Sequence, residues 1–255
     1  MYNNNFPLFI KGKVVKKEAL EGLRDFPHTF VSIAFDNLSD GIVFGFSIFF
    51  DKDKNTITVS RGALKFRGHI IIVHENELSI NKYGTLLYIK LIVGDYCEKD
   101  GFEFYPIEMK INDEDFKENE LEIGRFILNK SAVLRCDYDF FSDLRTSINT
   151  LDITRCSSAG NDVATLHPNV LKVFAKTLLN NSSDAADISF ALLCINSSII
   201  HKNSIEWYIA KKIGGEYREY TLDDLYKKLE EILSYNFKKV ESSTSINKNR
   251  PRIQF

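Results

Sequence analysis

The chain is poor in the residues that build metal, redox and nucleotide centres. Four cysteines, Cys97, Cys136, Cys156 and Cys194, are spread so widely that no CxxC motif exists. The five histidines are His28, His69, His74, His167 and His201. His69 and His74, the closest pair, are separated by an odd number of residues, so one regular strand would turn them to opposite faces. No GxxxxGK[ST] or GxGxxG loop is present, which removes the backbone nest that cradles phosphates. No GxSxG nucleophile elbow occurs either. Apolar runs are all shorter than the roughly 18–20 residues a membrane-spanning helix needs. A net charge of -2 provides no overall attraction to nucleic acid or to an anionic membrane. With no secretory signal at residues 1–10, the cysteines are expected to be free thiols in a protein made in the cytoplasm.

What remains is weak as chemistry. Cys194 and His201 lie seven positions apart, about 10 Å along one helix and beyond nucleophile–base contact. The acids Asp113, Glu114, Asp115, Asp137 and Asp139 suit solvated loops, although a hydrolase using paired carboxylates would draw on such residues. The only tryptophan, Trp207, precedes Tyr208. Adjacent aromatics point about 100° apart on a helix, which suits core or interface packing better than a sugar platform. No catalytic, cofactor-binding or metal-binding residue is assigned, and no cofactor is expected.

The content of the chain is that of a packed protein: 44% hydrophobic residues, with 20 phenylalanines and 11 tyrosines. Residues 6–15 read as a strand, 16–23 as a short helix, and 25–27 as a turn, with β texture from residue 30 onward. Residues 42–50 read as one strong strand, 51–55 as a hairpin loop and 56–60 as its return. Residues 64–73, 86–93, 102–111 and 121–134 continue the β pattern, with an acidic loop at 112–119. Short strands with turn signals every 8–12 residues suggest a sandwich or barrel.

Near residue 137 the period changes. Residues 140–148 read as a short helix and 154–161 as a small polar loop. Pro168 opens a helix carrying Val170, Leu171, Phe174 and Leu178 at helical spacing. Ser182, Ser183 and Asp184 cap a second helix. Another ends at Gly214-Gly215, and Thr221 caps the last, striped with Leu225, Leu229, Ile232 and Leu233. The expected class is α+β, a β-rich sandwich or barrel-like N-terminal domain followed by a helical one. The divisions are residues 1–136, 137–240, and a polar extended tail at 241–255. The tail ends in Ile253 and Phe255, which share a side of an extended chain; it reads either as an assembly arm or as a frayed terminus with no role.

One stretch carries a resemblance. Asp40-Gly41-Ile42-Val43 and Gly45 lead through a hairpin to Asn55, Ile57, Val59, Gly62, Lys65 and Gly68. This run resembles the recurrent β-unit of baseplate and fibre-attachment proteins of contractile phage tails, in which glycines permit bends at strand corners. Residues 166–175 and 187–193 resemble tail-cluster proteins of contractile phages and phage-tail-like bacteriocins from low-GC bacteria, whose AT-rich coding bias the frequent Phe, Asn, Lys and Ile match. The resemblance implies a non-enzymatic structural subunit of a baseplate or baseplate–fibre junction. Its partners would be other baseplate, wedge or fibre proteins, or copies of itself, with no nucleic acid, membrane or small-molecule substrate. Its destination would be a virion or a released tail-like particle. A carbohydrate- or receptor-binding module is the alternative, and an Asp/Glu hydrolase a further one.

Overall fold

A computed structural model describes residues 6–248, with side chains described as far as residue 235. It has the expected α+β architecture, β-rich first and helical second, but a helix precedes the sheets. This helix, α1 (Lys17–Ala34), corrects the first expectation. Residues 6–15 form no strand, and the helix neither stops at residue 23 nor turns at Pro27. Pro27 removes one intrahelical donor. The apolar spacing through Leu20, Leu23, Phe26, Phe30 and Ile33 nevertheless continues past it, and the helix follows that spacing.

The strands form small antiparallel sheets. β1 (Gly41–Gly45), β4 (Gly62–Phe66) and β5 (His69–Val73) make one, ordered β1-β4-β5. β2 (Ile48–Asp51), β3 (Thr56–Val59) and β6 (Asn76–Ser79) make a second, ordered β2-β3-β6. β7 (Leu86–Val93) is the centre of a third, flanked by β10 (Ile107–Asn112) and β11 (Glu120–Ile127). β8 (Cys97–Lys99) and β9 (Phe102–Phe104) form a separate hairpin, so the stretch 102–111 read as one strand is divided between β9 and β10.

Two expected strands are split by glycine. Residues 42–50 are interrupted at Gly45 and Phe46, with φ of 84° and 56°, and there the chain leaves the first sheet for the second. A Cβ at Gly45 would lie 2.4 Å from the Arg61 carbonyl oxygen, so only glycine fits. Residues 64–73 are a hairpin, because Arg67 and Gly68 both have positive φ and Phe66 pairs with His69. The expected hairpin at 51–55 is present, with Phe50 opposite Ile57. Ile57 and Val59 are both fully buried on one side of β3, as their alternation implies.

The small polar stretch at 154–161 does not act as a free linker. Ser157 and Ala159 exchange backbone hydrogen bonds with Ile42 on the edge of β1, through Ile42 N to Ser157 O at 3.0 Å and Ala159 N to Ile42 O at 2.8 Å. A 3-10 helix (Phe141–Arg145) then joins the halves. Phe141 stacks on Tyr226 at 4.6 Å, and the Tyr226 hydroxyl donates to the Phe141 carbonyl at 2.9 Å. One apolar core runs from Ile57, Leu87 and Phe126 through Leu144 to Phe174 and Leu229.

Three of the later helices begin where their caps predict, and the fourth ends at its predicted glycine. α2 (Pro168–Asn181) has Pro168 in its first turn, and His167 Nδ1 accepts from Asn169 N at 3.2 Å. α3 (Ala185–Asn196) is capped by Asp184, and α4 (Lys202–Ile213) ends at Gly214 with φ of 69°. α5 (Leu222–Lys248) starts where Thr221 Oγ1 accepts from Asp224 N at 3.2 Å. It runs further than expected. Residues 241–248, read as the start of an extended tail, are helical, while Ile253 and Phe255 lie outside the described residues.

Candidate interaction surface

The residues weighed for chemistry occupy separate places. His28 lies exposed on α1, and His69 and His74 are exposed around β5. His167 and His201 each accept a backbone N–H, from Asn169 and Asn161 respectively. Cys194 is buried in α3, which ends at Asn196, so Cys194 and His201 do not share one continuous helix. Among the described residues, no group of three or more His, Cys, Asp or Glu side chains is placed to hold a metal ion. In the acidic loop, Asp113 pairs with Lys82 at 2.6 Å, and that hydrogen bond holds its carboxyl below the usual carboxylate range. Trp207 is half exposed on α4, its ring 4.9 Å from that of Tyr217, so it is a surface residue and not a core one.

Three buried ionic groups were not singled out in the sequence, and each is satisfied from within. Lys90 in β7 donates to Glu120 Oε2 at 2.9 Å and to the Asp115 carbonyl at 2.8 Å. Glu206 accepts from the Tyr217 hydroxyl at 2.6 Å and from Tyr220 N at 2.9 Å. Asp187, in the first turn of α3, is fully buried; Tyr208 donates to it at 2.8 Å and Lys212 lies 2.8 Å away. Burial pushes the Asp187 carboxyl up, and hydrogen bonds from Lys212, Ser182 and Tyr208 together bring it below its ordinary value. These networks tie separate elements of the fold together. Only the lysine inside the apolar run of β7 is a signal readable beforehand.

The surface that stands apart is α1 with residues 6–15. At 100° per residue, Ala19, Leu20, Leu23, Phe26, Pro27, Phe30, Val31, Ile33 and Ala34 fall within an arc of roughly 160°. Glu18, Glu21, Arg24, Asp25 and His28 fill the opposite side. Such a stripe ordinarily faces a core, as the stripe of α2 does with Val170, Leu171, Phe174 and Leu178. Yet α1 buries none of its residues; Phe30 is 65% and Ile33 71% exposed. Leu20, Leu23, Phe26, Phe30 and Ile33 together leave on the order of 500 Å² of largely apolar area in water, the size of a functional patch.

Residues 6–15 enlarge it. Gly12, with φ of 83°, closes a turn in which Lys13 N donates to the Ile10 carbonyl at 3.1 Å, and the preceding residues double back over α1. Phe6 meets Phe26 edge-on at 5.4 Å, and Gly22 leaves room beside Pro7. Between this arm and the helix lies an open groove of about 440 Å³. Leu8 and Val14, on the groove, are 82% and 92% exposed.

No family model matches the chain, and no curated protein does. Among solved structures it is similar to a crystal structure of TssK, with a TM-score of 0.40 and 9% identity, over 92% of this chain and 69% of that one. It is also similar to a cryo-electron microscopy structure of the type VI secretion system TssK-TssF-TssG baseplate subcomplex, with a TM-score of 0.37 and 11% identity, over 92% of this chain and 100% of the matched one.

Proposed function

We propose that the chain is a non-enzymatic structural subunit of a contractile, phage-tail-like particle, in its baseplate or at the baseplate–fibre junction. It works by protein–protein assembly with other baseplate, wedge or fibre proteins, or with copies of itself. It is made in the cytoplasm and then carried in the particle. The observation that carries the assembly role is the apolar face of α1, which residues 6–15 cover only at Gly22 and Phe26 and which is otherwise left largely open to water. An amphipathic helix left open to water in this way is a docking element. The baseplate setting rests on the sequence resemblance through Asp40–Gly45 and Asn55–Gly68.

The test is incorporation. A tagged chain should co-purify with intact particles carrying sheath and tube. The double substitution Leu23→Glu, Phe30→Glu should leave the melting temperature within a few degrees of the parent, since both side chains are exposed, but abolish incorporation. A chain never found with sheath and tube, or a double variant that incorporates normally, would overturn the reading.

A further inference from the structure

We propose that the groove between residues 6–15 and α1 receives an acidic amphipathic segment of another protein. This presupposes an assembly subunit and names the chemistry of its partner. Two observations meet here. The groove is lined by apolar side chains, among them Phe9, Val14 and Val15, whose exposure of about half or more gives them something to bury. Its rim is basic on balance: Lys13 and Lys16 line it against one acid, Glu18, and Lys11 stands at the turn. Lys17 is taken by Glu21 at 3.2 Å, whereas none of Lys11, Lys13 and Lys16 has a carboxylate within 4 Å among the described residues. An incoming segment with an apolar stripe and flanking carboxylates would satisfy both features at once.

Charge also argues against the other occupants. The chain's own C-terminal residues carry Arg250 and Arg252, of the same sign as the rim. The arm of a second copy brings the same lysines. A bilayer surface favours a basic polar face, yet that of α1 sets Glu18, Glu21 and Asp25 against Lys17, Arg24 and His28, and a groove suits side chains better than a plane of headgroups.

The full-length chain is titrated with three probes: a labelled amphipathic helical peptide with a leucine stripe and a glutamate polar face, the same peptide with lysines for glutamates, and phosphatidylcholine vesicles containing phosphatidylserine. Binding to the acidic peptide is expected to be about tenfold tighter than to the basic one, and to weaken with salt. The triple variant Lys11→Glu, Lys13→Glu, Lys16→Glu should reverse the order. Phe9→Ser with Val14→Ser should weaken both peptides alike, and circular dichroism checks that each variant folds. Equal affinity for the two peptides, preferential capture of vesicles, or self-association that the acidic peptide does not disperse would overturn the proposal. A chain that enters particles but binds neither peptide loses this inference and keeps the assembly role. A chain that binds the acidic peptide but never joins a particle does the reverse.

Discussion

Lys90 offers a sharp test of how the β half is held. It sits in the middle of β7, between Lys110 on β10 and Glu122 on β11. Its side chain is 0% exposed and that of its partner Glu120 is 6% exposed. Besides the bonds to Glu120 and Asp115, its ammonium lies 4.4 Å from the Phe116 ring centroid, so one lysine pins the acidic loop at 112–119 to the sheet. Lys90→Ala strands the Glu120 carboxylate out of water, and breaking a buried pair in this way costs about 3–5 kcal/mol. Replacing both partners with similar volume, Lys90→Met with Glu120→Met, should fall within about 1 kcal/mol of the parent, because no lone charge is left. Urea denaturation with linear extrapolation measures both, and the double-mutant cycle should show a coupling of about 2 kcal/mol or more. The pH dependence supplies a second sign. The hydrogen bond from Lys90 holds the Glu120 carboxyl below its ordinary value of 4.5. The stability this contributes is therefore complete above that value and lost as pH falls through the lowered one. In Lys90→Met the isolated carboxyl is pushed up instead, so acidification should recover stability. A loss below about 1 kcal/mol in Lys90→Ala, or a double variant as unstable as the single, would refute the argument.

Three further outcomes are expected. Gly45→Ala, which forces a Cβ to 2.4 Å from the Arg61 oxygen, should cost about 3 kcal/mol or more, while Gly101→Ala, equally left-handed but with nothing within 4 Å, should cost only about 1 kcal/mol in thermal or chemical melts. Burial holds the His167 imidazole down to about 4 from 6.5, so its contribution to stability is full above 6.5 and declines as pH falls toward 4; His167→Asn, which retains a cap acceptor, should flatten that part of the stability profile. All four cysteines should be titratable thiols after unfolding, with no mass change on reduction. In the folded protein at pH 8 Cys97 should react first, because burial pushes Cys136 to about 11 and Cys194 to about 12 and Cys156 is fully buried.

The helical half was readable because its signals are local. Pro168, Asp184, Gly214 and Thr221 each act on backbone groups within a turn of themselves, and that is where α2 to α5 begin or end. The hairpin between β2 and β3 and the burial of Ile57 and Val59 follow from an equally short range. The α+β class came from the change of period near residue 137. What failed was whatever depends on a distant neighbour. Gly45 reads as a strand residue until Arg61 and Gly62 press against it, and only then does the chain have to turn into the second sheet. The small residues at 154–161 read as a loop because nothing nearby in sequence announces that the β1 edge will bind them. Pro27 reads as a stop, yet its loss of one donor was outweighed by an apolar spacing that runs past it.

The candidate surface divides the same way. Composition and spacing determine that residues 17–34 can form a helix with one apolar side, and that the segment before it is basic. Whether such a side ends in a core or in water is not a property of the helix, since α1 and α2 carry the same kind of stripe and meet opposite fates. Tertiary structure decides it, because burial needs a facing surface. The sheets and α2 to α5 supply one another with theirs, and the apolar side of α1 is left largely in water.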